Sequence, residues 1–218
     1  MKIQFLGHAS FLLTTDAGTR IVTDPFDPEK SKGALKYRPF KESADIITLS
    51  HEHFDHGAAH ILTGSPIILR GNGKFVASEV EFLGIETYHD ESHGSERGRN
   101  TVFVISVDGL RIAHMGDLGH VLTADQAAEI GSVDVVLIPV GGYYTIDASQ
   151  AAKIADQIAA KIVIPMHYKN DKCDFPIASV DGFIKDKPNV THQGDSVLEV
   201  TKENLPPKQQ IIVLDYAL

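Results

Sequence analysis

The run Asp45-Ile46-Ile47-Thr48-Leu49-Ser50, followed at once by His51-Glu52-His53-Phe54-Asp55-His56, constrains this chain more than any other stretch. The first half is short, apolar and β-branched, which predicts a buried strand. The second half crowds imidazoles and a carboxylate into six residues. In an extended segment, residues two apart point the same way, so His51 and His53 can grip one metal ion. Gly57 and the Ala-rich stretch after it suit a turn into a helix. Asp55 and His56 lie on that turn and can face a second ion. Imidazole together with carboxylate suits Zn, with Mn, Fe, Ni or Co as further choices.

Composition narrows the partners. The chain has 218 residues, 43% of them hydrophobic, a length that fits one domain over 1–218. Its net charge of −9, without a Lys/Arg run, disfavours a nucleic-acid surface and leaves a small-molecule substrate as the expectation. The single cysteine, Cys173, excludes an internal disulfide and fits a reducing compartment. The first eight residues lack the pattern of a signal peptide, and nothing approaches a membrane span, so the expected location is cytoplasmic. A homo-oligomer is compatible with all of this.

Periodicity and turn chemistry predict strands over 2–6, 10–15, 19–23, 66–69, 79–88, 134–140, 161–166, 196–200 and 210–216. Residues 101–107 and 110–114 read as a hairpin about Asp108-Gly109. Residues 58–62, 123–130, 147–160 and 179–185 read as helices, with Thr123 and Gln126 forming a capping box before Gly131. The polar, aperiodic 27–44 is a long loop of the kind that often serves a site. Three more residues end apolar strands: His89 after Ile85-Glu86-Thr87-Tyr88, Asp117 in His114-Met115-Gly116-Asp117-Leu118-Gly119, and His167 after Ile162-Val163-Ile164-Pro165-Met166.

H-x-H-x-D-H after an apolar strand resembles the signature of the metallo-β-lactamase superfamily at every defined position. Gly7-His8-Ala9-Ser10, Thr23-Asp24-Pro25-Phe26, Arg97-Gly98-Arg99-Asn100-Thr101, Gly116-Asp117-Leu118-Gly119 and Pro165-Met166-His167-Tyr168 are similar to its small stand-alone hydrolases, relatives of ascorbate-phosphate lactonase and of the phospholipase D acting on N-acyl-phosphatidylethanolamine. The resemblance implies an α/β fold, a four-layer αβ/βα sandwich of two mixed sheets packed face to face with helices outside. It also implies two divalent ions: His51, His53 and His89 on one, Asp55, His56 and His167 on the other, with Asp117 bridging. His93 lies in the same loop as His89 and rivals it for the third place.

The function so implied is a metal-dependent hydrolase. A metal-bridging hydroxide would cleave an ester, lactone, amide or phosphodiester, with Asp55 and Asp117 as catalytic carboxylates. A di-iron oxidoreductase and a non-catalytic metal-binding protein are the alternatives. His8 and Asp24 fall at strand ends, where they either face the site or cap turns. Arg97, Arg99 and Tyr168 are candidates for holding an anionic substrate group.

Overall fold

The computed structural model describes residues 1–218. Strands β1 (Lys2–Gly7), β2 (Ser10–Thr14), β3 (Arg20–Thr23), β4 (Ile46–Leu49), β5 (Ile67–Arg70) and β13 (Val197–Glu199) form one mixed sheet in the order β13-β1-β2-β3-β4-β5. The other sheet runs β12-β14-β11-β10-β9-β8-β7-β6. Its strands are β6 (Gly73–Ala77), β7 (Val80–Tyr88), β8 (Arg99–Val107), β9 (Leu110–His114), β10 (Val135–Pro139), β11 (Ile162–Met166), β12 (Val190–His192) and β14 (Gln210–Val213). The helices are α1 (Ala124–Ile130), α2 (Ala148–Gln157) and α3 (Asp181–Ile184). No helix is long and apolar enough to cross a membrane.

Strand alternation sorts the side chains of the first sheet into two cores. Phe11, Leu13, Ile21 and Ile46 join Val104, Ile112, Val135 and Ile164 of the second sheet in a core of 47 buried residues. Their neighbours Leu12, Val22 and Ile47 point the other way, into a second core of 14. That outer face is covered by Leu35 and Tyr37 of the long loop and by Ala59 of a single 3-10 turn. On the second sheet, α1 packs against β7, and α2 against β10 and α3. The layers are therefore those of an αβ/βα sandwich, with loop replacing most of the helix on one side.

Local chemistry accounts for most of the elements. Asp108 and Gly109 both take positive φ, 54° and 73°, closing the β8–β9 hairpin in the handedness that strand twist favours. Thr123 and Gln126 cap α1 reciprocally, and Asp147 and Gln150 do the same for α2. The helix read from the sequence over 147–160 stops at Gln157, because Ala159 turns to φ 51°. The 58–62 helix reduces to the 3-10 turn Ala59–Ile61. Strands β6 and β12 carried no readable signal. In β6 only Ala77 is buried, and β12 is a three-residue strand on the sheet edge.

Parallel pairing sets the position of the site. Strands β3, β4 and β5 run parallel, as do β9, β10 and β11, so several carboxyl ends emerge on one rim. The chain leaves that rim at His51, Asp117 and His167, and leaves β1 at His8 and β7 at His89. Ligand sites of α/β sheets form outside such carboxyl ends.

Candidate metal centre

Five separate chain segments converge there. Ligand-type atoms of His51, His53 and His89 lie within 4.8 Å of one another, and those of His8, Asp55, His56 and His167 form a second such set. Asp117 stands between them. Its Oδ2 is 3.2 Å from His89 Nε2 and 3.9 Å from His51 Nε2. Its Oδ1 is 3.1 Å from His56 Nε2 and 3.4 Å from His167 Nε2. One carboxylate thus offers one oxygen to each set.

The donors suit metal ions on two counts. First, His51 Nε2, His56 Nε2, His167 Nε2 and Asp117 Oδ1 are buried without a hydrogen-bond partner. Such atoms are costly unless something binds them. Second, bonds of about 2.0–2.1 Å to one ion place neighbouring donors about 2.9–3.4 Å apart and opposite ones about 4.1 Å apart. The distances above fall in that range.

Asp24 sets which imidazole nitrogens face the cluster. It is fully buried, and its Oδ1 accepts the Ser50 N–H at 2.7 Å. Its Oδ2 accepts both the Ser50 hydroxyl and, at 2.8 Å, His56 Nδ1–H. With its proton donated to Asp24, Ser50 Oγ is left to accept from His51 Nδ1 at 3.0 Å. Both histidines therefore keep a proton on Nδ1, which makes Nε2 the nitrogen that faces the cluster. The nearby grouping of Asp24, His51 and His56 is not a third ion site, because protein N–H and O–H groups already fill the Asp24 oxygens. His114 ties the sheets together instead, donating from Nε2 to the Ala9 carbonyl at 2.8 Å.

Asp117 is braced in turn. Its N–H donates to Asn100 Oδ1 at 2.9 Å, and Asn100 Nδ2 donates to Thr87 Oγ1 and the Met115 carbonyl. Gly116, at φ 56°, keeps this approach open, since a Cβ there would lie 2.4 Å from Asn100 Oδ1. Neither Asn100 nor Ser50 was singled out in the sequence, because a bracing role leaves no spacing signature.

Charge follows the same plan. Burial and the neighbouring His56 push His51 down to about 3, and burial does the same to His167. Burial opposes ionisation of Asp117, yet His167 and His56 hold its carboxyl well below the usual range. Burial likewise disfavours a charged His56, but Asp117, Asp24 and Asp55 outweigh it and raise its pKa well above the ordinary value. A cation entering here meets ionised carboxylates and mostly neutral imidazoles, and displaces a proton at His56.

The cluster floors a cleft of about 370 Å³ walled by Phe54, Tyr144, Phe175 and Arg97. Of the residues expected at the site, His93 is not in it. It is exposed at φ 55°, with its ring against Tyr88. The cause is Asp90, whose carboxylate collects the N–H groups of Ser92, Gly94, Glu96 and Arg97 and curls the loop so that Arg97 reaches the cleft. Tyr168 also lies elsewhere. It is buried in the inter-sheet core, its ring 6.4 Å from that of Phe5, and does not line the cleft. Arg99 is exposed and paired with Glu86. The loop 27–44 contributes nothing to this cleft. Tyr144 and Phe175, which do line it, sit in irregular segments without a motif, although Phe54 lies inside the histidine run itself.

Comparison with known proteins agrees with this architecture. The family model described as "Beta-lactamase superfamily domain" matches residues 2–167. A UPF0173 metal-dependent hydrolase of Carboxydothermus hydrogenoformans is 32% identical over 219 residues, covering 86% of this chain and 92% of the relative. One from Pyrococcus furiosus is 30% identical, covering 77% and 84%. Among solved structures, a metallo-β-lactamase superfamily protein of Thermotoga maritima superposes with a TM-score of 0.82 at 38% identity, over 99% of both chains. Sequence match, sheet order and the convergence of strand-end histidines lead to one conclusion: this chain belongs to the metallo-β-lactamase superfamily.

Proposed function

We propose that the protein is a dinuclear metal-dependent hydrolase acting on an ester, lactone, amide or phosphodiester bond of a small molecule. The observation that carries this is Asp117, with one oxygen towards His51 and His89 and the other towards His56 and His167. His51, His53 and His89 hold one ion; Asp55, His56 and His167 hold the other. Two divalent ions, with Zn the first choice, supply an acidified water and an electrophile for the carbonyl or phosphoryl oxygen.

The chain's own residues do the rest. Asp55 is 13% exposed at the cleft floor and directs Oδ2 towards His8 and His56, leaving Oδ1 to take the proton of the attacking water. Arg97 is the cation of the cleft wall and orients an anionic substrate group. Phe54, Tyr144 and Phe175 cover the apolar part of the substrate and exclude water. A cleft of this size with one arginine suits a small molecule better than a nucleic acid. The proposal takes 1–218 as a single domain in a reducing, cytoplasmic setting, where the one cysteine, Cys173, stays free and buried.

Elemental analysis with a substrate panel tests the reading. Two ions per chain are expected, together with hydrolysis of at least one ester, lactone or phosphodiester that chelation abolishes and metal restores. Hydrolysis that survives chelation would overturn it. Bound iron with a redox signal and no hydrolysis would favour the oxidoreductase instead.

A further inference from the structure

We propose that His8 is itself a metal ligand, an additional protein donor to the ion held by Asp55, His56 and His167; this rests on the two-ion reading above. Its Nε2 lies 3.4 Å from Asp55 Oδ2, and it falls within 4.8 Å of the donor atoms of His56 and His167. At 3.4 Å the contact is long for an N–H···O hydrogen bond, whose usual span is about 2.7–3.2 Å. It lies at the upper end of the separation of about 2.9–3.4 Å expected between neighbouring donors on one ion with bonds of about 2.0–2.1 Å. The ring is fully buried and its Nδ1 has no hydrogen-bond partner, so no second contact fixes which nitrogen carries the proton.

The backbone aims the ring. His8 follows β1 at φ 54°, a left-handed conformation uncommon for a residue other than glycine. Its carbonyl accepts the N–H of His167 at 2.7 Å, and its ring centre lies 4.2 Å from that of His167. Strain of this kind persists where the surroundings over-determine it, and it gathers at functional sites. The result is asymmetric. The first ion has His51, His53, His89 and Asp117; the second has His8, Asp55, His56, His167 and Asp117. One more protein donor favours an ion of higher coordination number at the second position, such as Mn, Fe, Co or Ni, over tetrahedral Zn.

Cobalt-loaded protein gives the test, since Co(II) shifts the NMR signals of each imidazole bound to it. The unaltered chain should take up two cobalt ions and show six shifted imidazoles, from His8, His51, His53, His56, His89 and His167. In His8→Asn, a replacement that tolerates left-handed φ, one shifted ring should vanish, and affinity for one ion should fall about 10-fold or more while the other stays unchanged. Two bound ions with only five shifted imidazoles in the unaltered chain would overturn the proposal and leave the hydrolase reading standing. That count needs no variant, so a misfolded His8→Asn does not obscure it. Uptake of a single ion would overturn the two-ion reading and this inference together.

Discussion

Asp24→Asn replaces one atom of the buried carboxylate and leaves its shape intact. Asn also accepts the φ of 40° found at this position. In the native site, Oδ2 accepts His56 Nδ1–H at 2.8 Å. If the new amide nitrogen takes that place, it donates to Nδ1 and drives the His56 proton onto Nε2, which stands 3.1 Å from Asp117 Oδ1. A protonated Nε2 cannot bind a metal. If the amide turns over, its NH2 faces the buried N–H of Ser50, which loses its acceptor at a cost of about 1–3 kcal/mol. Either orientation also removes a negative charge beside the proposed cations. Loss of such an orienting carboxylate weakens metal binding about 10–100-fold, or about 1.4–2.7 kcal/mol. At fixed free metal, that much stabilisation by the bound ion disappears. For a chain of this length, 1 kcal/mol moves Tm by about 2–4 °C, so the metal-induced rise in Tm should shrink by about 3–11 °C. Thermal melts with and without chelator measure the rise, and competition with a chelating indicator measures the affinity. Unchanged dissociation constants in Asp24→Asn would refute the tautomer assignment for His56 and, through Ser50, for His51.

Three further outcomes are expected. Gly119→Ala places a Cβ 2.2 Å from the His89 carbonyl carbon and 2.3 Å from Asp90 N, so backbone must move; about 1–3 kcal/mol of stability and affinity for the first ion should be lost. Gly182→Ala, with nothing near its added Cβ, serves as the control in the same melts. Burial opposes ionisation of Asp90, but four backbone N–H groups outweigh it and hold the carboxyl at about 2. A depressed carboxyl pKa adds stability above the unfolded value of about 4, and that stability is lost as pH falls towards 2. The stability difference between the native chain and Asp90→Asn should therefore shrink over that interval in denaturant titrations. Arg97→Ala should raise KM for esters carrying a distal carboxylate about 10-fold more than for neutral esters of the same shape; equal effects on both would remove Arg97 from substrate binding.

The parts of this molecule that were legible share a physical cause. His51, His53, Asp55 and His56 sit in one run, and His89, Asp117 and His167 each come within three residues after a strand, so periodicity and residue type mark them together. Asp108-Gly109 and the Thr123–Gln126 box were equally readable, because only a few residues satisfy those backbone demands. What escaped depends on long-range packing. His89 joins the cluster and His93 does not because Asp90 gathers four N–H groups and curls the loop between them, which no spacing reveals. Tyr168 stood next to His167 in the sequence, yet the chain turns at His167, φ 51°, and the Tyr168 ring packs 6.4 Å from Phe5 in the core instead of on the cleft. Tyr144 and Phe175 reach the cleft from irregular loops, where no period connects sequence to direction.

Backbone conformation links the site to the stability of the fold. His8, Asp24 and His167 are all buried, all follow strand ends, and all have positive φ: 54°, 40° and 51°. Each such residue costs about 1–2 kcal/mol, so the three together cost about 3–6 kcal/mol, a large share of the stability of about 5–15 kcal/mol typical of a folded protein. Other non-glycine residues at positive φ, such as Asp108, Glu79 and Ala159, are exposed or half-buried, whereas these three are enclosed. These three positions keep side chains that would lose contact with the cluster if the backbone relaxed. His8 and His167 are joined by a 2.7 Å backbone hydrogen bond, and Asp24 N–H donates to the Thr48 carbonyl of β4, so ladder-like bonds between strand ends hold the strained residues in place. The sandwich thus supplies the rigidity, the strand ends absorb the strain, and binding of cations by the aligned donors is the step that offsets it.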